Sequence, residues 1–229
     1  MQIPERIDDR IQDAHVVIKL SYEMPFQILF GNFYDNVIKS GSYDSIATPD
    51  ENNNTSATGN RIMFYDDEIK FILTDEILFI NIRDNYIGWN IYLVKILEVI
   101  SFISSNKSIL ISRIGLRYIN VYEHYNLKDI TKFSFSFAQP DIKSKRFNFS
   151  TEFEYENTNV ILNLVNDYKN EDSNFLSLMD IDCYANKNDF FISNNDLVKQ
   201  ELSNIHKIQE SIFFSLLKEE FLETLNPIY

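Results

Sequence analysis

The sequence predicts an α+β fold of antiparallel sheets packed by helices, ending in a long C-terminal helix. Three observations carry this expectation: alternating apolar stretches joined by short acidic turns, apolar residues recurring at three and four positions in separate segments, and an extended amphipathic segment near the end of the chain.

The first strand is His15–Glu23, where Val16, Ile18, Leu20 and Tyr22 share one face, as a half-buried strand requires. Met24-Pro25 ends it. From Pro25 the period becomes helical, with Phe26, Leu29, Phe30, Phe33 and Val37 in one stripe and Gly41 as the stop. Ser42–Asn60 has no periodicity and is rich in turn-forming residues, so a surface loop is expected there. Arg61–Tyr65, Ile69–Thr74 and Ile77–Arg83 then read as a meander, because their spacing leaves no room for crossover helices.

The second helix is expected over Gly88–Asn106, with Trp89, Tyr92, Leu93, Ile96, Val99, Ile100 and Ile103 as its main stripe. Ile91, Val94 and Phe102 form a second apolar side. Either another layer of the same chain or a partner must cover that side, which makes these three residues candidates for a protein interface or self-association.

Ser108–Tyr122 reads as a long strand, Leu127–Ile130 as a turn of helix, and Lys132–Ala138, Arg146–Glu156, Asn159–Tyr168 and Phe175–Ala185 as further strands. Phe147, Phe149, Phe153 and Tyr155 fall on one face. A final helix is expected over Asp196–Leu225, on a stripe including Val198, Leu202, Ile205, Ile212 and Leu216, with Ser193 and Asp196 at capping-box spacing. Both halves thus read strand, helix, antiparallel strands, helix, which suggests units 1–107 and 108–229; one continuous domain fits the length equally well.

A content of 45% hydrophobic residues with only five Gly and five Pro provides for a core and argues against disorder. The formal net charge of −13 disfavours nucleic acid as a partner, and such acidity reads either as a well-solvated surface or as mimicry of nucleic acid or neutralisation of a basic partner. Cys183 is the only cysteine, so no intramolecular disulfide can form and a reducing compartment is expected. MQIPERIDDRIQDAH lacks the apolar segment of a signal peptide, and the most apolar stretch is interrupted by Asn90, Lys95 and Glu98. A cytoplasmic location without membrane contact is the expectation.

The most informative stretch is Arg113-Ile114-Gly115-Leu116-Arg117-Tyr118-Ile119-Asn120, where period two puts Arg113, Gly115 and Arg117 on one face. Two guanidinium groups flanking a residue without a side chain suit the binding of a phosphate or carboxylate. The competing reading pairs them internally with Asp180 and Asp182, which share a face of a later strand. His206 and Glu210 stand one helical turn apart, as a general base and its holder would, or as a packed histidine at a helix boundary. His15, His124 and His206 have no zinc spacing, and no nucleophile elbow, phosphate loop or dinucleotide fingerprint is present, so neither a metal site nor a cofactor is expected.

RIGLRYIN, together with SYEMPF, YIGWNIY, LMDIDCY and IHKIQESIFFSLL in that spacing, resembles a sporadically distributed family of uncharacterised prokaryotic proteins. The resemblance spans most of the chain. It implies the fold and a prokaryotic origin, and its patchy distribution suggests an anti-phage defence or toxin-neutralising module. Aromatic bulk, the two-sided second helix and the missing catalytic motifs lead to the expectation of a non-enzymatic binding protein acting through a protein partner or a small anionic ligand. The alternatives are a metal-assisted hydrolase or nuclease, and a carrier or sensor of an anionic or hydrophobic ligand.

Overall fold

The computed structural model describes the whole chain except Met1, Glu5, Arg6, Asp9, 50–59, 105–107, 136–145 and 170–174. The fold is α+β, a large antiparallel sheet of many strands packed with helices. Cα proximity groups the chain into two compact units. The first comprises Met1–Asp13, Arg117–Tyr184 and Asn204–Tyr229, and the second Ala14–Leu116 and Ala185–Ser203. Three long strands and the helix Asn195–Leu216 each supply residues to both units.

In the second unit, β1 (Ile11–Ser21) leads into α1 (Phe26–Ser40), and β2 (Asp44–Pro49), β3 (Asn60–Tyr65), β4 (Ile69–Leu73) and β5 (Ile77–Ile82) form the meander before α2 (Trp89–Ser104). Gly41, at φ 68°, ends α1 in the left-handed region and donates its N–H to Ile38 O. Asp66 shapes the β3–β4 turn by accepting from the N–H groups of Glu68 at 2.8 Å and Ile69 at 2.7 Å. The core is aromatic. Phe33 meets Phe64 and Phe71 edge-on, and the buried Tyr92 hydroxyl donates to Ile80 O at 2.9 Å, tying α2 to the sheet.

One correction concerns Ser42–Asn60. Asp44–Pro49 is not loop but strand β2, paired with β3 from Asp44↔Tyr65 to Pro49↔Asn60, the first residue of β3; residues 50–59 lie outside the described residues.

The first unit holds the start of β1, the later part of β6 (Leu110–Glu123), the short α3 (Leu127–Ile130), β7 (Phe147–Tyr155), β8 (Thr158–Lys169) and most of β9 (Phe175–Phe191). Its strands run in the order β1-β6-β9-β8-β7. Glu156 and Asn157, both at positive φ, make the two-residue loop between β7 and β8. On this unit's part of β6 the buried residues Tyr118, Asn120 and Tyr122 define the core side. α4 (Asn195–Leu216) and α5 (Glu219–Glu223) meet that side: the Gln209 amide of α4 approaches Ile181 O of β9 at 3.5 Å, and Phe221 of α5 meets Tyr122 edge-on at 5.7 Å.

Three further expectations need correction here. Lys132–Phe135 is irregular rather than strand, since the rings of Phe133 and Phe135 turn onto Phe147 and Phe149; 136–138 lie outside the described residues. The single helix over Asp196–Leu225 is two helices, because Leu217 bridges to Thr131 while Lys132 N–H donates to Leu216 O and Lys218 N–H to Ile130 O. The α4 cap is Asn194, whose side chain accepts from Leu197 N–H at 3.3 Å, in place of Ser193.

Candidate functional site

Residues pointing away from the helices on β6, β9, β8 and β7 of the first unit form a side-chain row that starts at Arg117. Its Nε donates to Asp180 Oδ1 and its Nη2 to Asp180 Oδ2, each at 2.7 Å. The two parallel bonds make a fork-to-fork pair. The Asp180 side chain is 5% exposed against 35% for Arg117, so the carboxylate is the member that depends on the pairing.

Register extends the row. Asp180 stands opposite Asn163 and Asn163 opposite Ser150. Asn163 Nδ2 donates to Asp180 Oδ2 at 2.9 Å, and Ser150 Oγ donates to Asn163 Oδ1 at 2.6 Å. Arg117–Asp180–Asn163–Ser150 is therefore a hydrogen-bonded chain across four strands. Hydrogen bonding to Asp180 raises the Arg117 pKa, partial burial opposes this, and the charges of Asp180, Asp182 and Asp13 add to the rise. The guanidinium is thus already paired with one carboxylate, that of Asp180.

Of the expected anion site, Arg113 is half-buried and Gly115 is buried on β6, while both donor directions of Arg117 used in the fork point to Asp180. The next row along the same face holds Glu152, Ile161 and Asp182 in register, and the following one Glu154, Asn159 and Tyr184. Tyr184 Oη donates to Glu152 Oε1, joining these two rows. Glu152 and Glu154 are exposed and Asp182 half-buried, so this side of the unit presents carboxylates to solvent.

On the core side, His206 is buried between Tyr118 and Glu210. The Tyr118 hydroxyl lies 3.4 Å from Nδ1 and Glu210 Oε1 lies 3.3 Å from Nε2. Glu210 was legible from its spacing to His206. Tyr118 was not, because a strand and a helix distant in sequence supply the two groups. Burial and then the Asp182 charge push the buried Cys183 thiol up to about 12, far from a reactive thiolate. Among the described residues no three of His, Cys, Asp and Glu are grouped to hold a metal ion.

The three interface candidates on α2 separate. Ile91 and Val94 are 51% and 65% exposed, whereas Phe102 is 9% exposed and meets the Tyr43 ring edge-on at 6.0 Å. Phe102 is thus a core residue, covered by the chain's own layer. Its backbone carbonyl accepts from Asn36 Nδ2 of α1 at 2.8 Å. Also among the described residues, no helix is long and apolar enough to cross a membrane. No family model matches the chain, and no curated protein matches it.

Proposed function

We propose that this chain is a non-enzymatic binding protein, and that its protein partner docks on the acidic outward side of β6, β9, β8 and β7. The observation that carries the reading is the placement of Glu152, Glu154 and Asp182 on one face beside an arginine already held by Asp180. A free anion meets repulsion there, while a basic protein surface meets complementary charge. The net charge of −13 favours encounter with a basic partner over the whole molecule. Such a protein fits a toxin-neutralising or defence module, in which a cationic partner is held inactive.

The experiment is paired capture from native cells, with the wild type and Glu152→Lys/Glu154→Lys immobilised side by side and bound proteins and small molecules identified by mass spectrometry. A protein held by the wild type and lost from the variant supports the reading. Equal capture by both, or a small anion as the only specific ligand, contradicts it.

A further inference from the structure

We infer that β7 is a docking edge for an extended basic segment of the partner, which adds to the sheet as an outer strand. This rests on the acidic-face reading and specifies the mode of contact. β7 is nine residues long, closes the strand order of the first unit, and pairs with β8 along its whole length from Phe147↔Asn166 to Tyr155↔Thr158. Among the described residues no strand pairs with its other edge. An edge strand carries backbone N–H and C=O groups able to bond another chain.

The side chains of β7 define what such a chain would need. Asn148, Ser150, Glu152 and Glu154 lie on the outward side with Asp180 and Asp182, and Phe147, Phe149, Thr151, Phe153 and Tyr155 lie on the other. Phe153 and Tyr155 are exposed, as are Glu152 and Glu154. Because neighbouring strands place facing residues on the same side, an incoming strand with alternating basic and apolar residues would set its cations beside Glu152 and Glu154 and its apolar groups beside Phe153 and Tyr155. A second copy of this chain is disfavoured as the occupant, since each copy carries a net charge of −13 and would bring its own Glu152 and Glu154 to the shared edge.

The test uses capped, fluorescently labelled nonapeptides against the full chain: alternating Lys-Val, alternating Glu-Val, and Lys-Val N-methylated at either the odd or the even residues. N-methylation keeps charge and side chains but removes N–H donors on one edge of an extended peptide. We expect Lys-Val to bind at least about ten-fold more tightly than Glu-Val, and one N-methylated form to lose at least about ten-fold while the other retains most of its affinity, each tenfold being the 1.4 kcal/mol of one lost contact set. Glu154→Lys, with an unchanged melting temperature, should weaken Lys-Val binding. If both N-methylated forms bind like the parent, contact is by charge alone; the strand-addition inference then fails while the acidic-face reading stands. If Lys-Val binds no better than Glu-Val, or if sedimentation gives a dimer that Glu154→Lys dissociates, the basic-strand occupant is wrong.

Discussion

Arg117 and Asp180 are joined by two parallel hydrogen bonds of 2.7 Å, and the second oxygen of that carboxylate also takes the amide of Asn163. Removing the arginine leaves a carboxylate with little solvent and, among the described residues, the Asn163 amide as its hydrogen-bond partner. We expect Arg117→Ala to cost about 2 kcal/mol, below the usual range for fully buried pairs because the guanidinium is partly exposed. Arg117→Leu/Asp180→Leu should cost less than the single change. Urea unfolding of the three proteins checks both, and a single-variant loss under about 0.5 kcal/mol would show the pair to be energetically idle.

Phe102 and Val94 lie on the same helix but answer to different surroundings. Phe102→Asp should cost about 4 kcal/mol or prevent folding, because it buries an unpaired carboxylate against Tyr43 and deletes a core ring. Val94→Asp should stay within about 0.5 kcal/mol. Thermal melts with sedimentation separate loss of folding from loss of assembly. A folded, merely dissociated Phe102→Asp protein would restore that residue to an interface.

The elements were legible wherever burial imposed a period, and failed where pairing came from elsewhere in the chain. Asp44–Pro49 lacks a strand composition and becomes β2 only because β3 pairs with it. The break after Leu216 has no proline or glycine behind it; backbone bonds to Ile130, Thr131 and Lys132 impose it. At the site, Arg117 and Asp180 could be matched by charge and strand phase. Asn163 and Ser150 could not, since neutral polar residues on strands acquire a partner only through register, which here follows from the exact two-residue loop at Glu156 and Asn157.

Lys95 binds Asp66 at 2.6 Å and Glu68 at 2.9 Å across the β3–β4 turn, and this predicts a pH dependence. Burial alone would raise the Asp66 pKa, but hydrogen bonds from Lys95 and from the Ile69 and Glu68 amides outweigh it and the value is lowered. A lowered folded pKa means the stabilisation is present above the unfolded carboxylate value, about 4, and is lost as pH falls through the folded one. Burial likewise pulls Lys95 down, yet its hydrogen bonds to Asp66 and Glu68 leave it pushed up to about 12. That contribution is full below the unfolded lysine value, about 10.4, and fades as pH rises toward 12. Asp66→Asn should therefore flatten the acid limb of a stability profile and Lys95→Met the alkaline limb. Profiles parallel to the wild type would contradict the assignment.

Cys183 should resist alkylation in the folded protein, since the thiol is fully buried and its pKa is raised to about 12. Mass spectrometry after iodoacetamide treatment at about pH 8 checks this. Labelling is expected in denaturant and at least about a hundred-fold slower without it. Comparable rates would place the thiol at the surface.

The most direct test of partner docking on the acidic face is the affinity of the captured partner for the wild type and for Glu152→Lys/Glu154→Lys, measured at about 50 and 500 mM salt. Debye screening shortens several-fold over that range, so charge complementarity must register in both comparisons. We expect the variant to bind at least about ten-fold more weakly at low salt, and the difference to shrink at high salt while both proteins keep the same melting temperature. Equal affinity of the two proteins at low salt would contradict docking on this face.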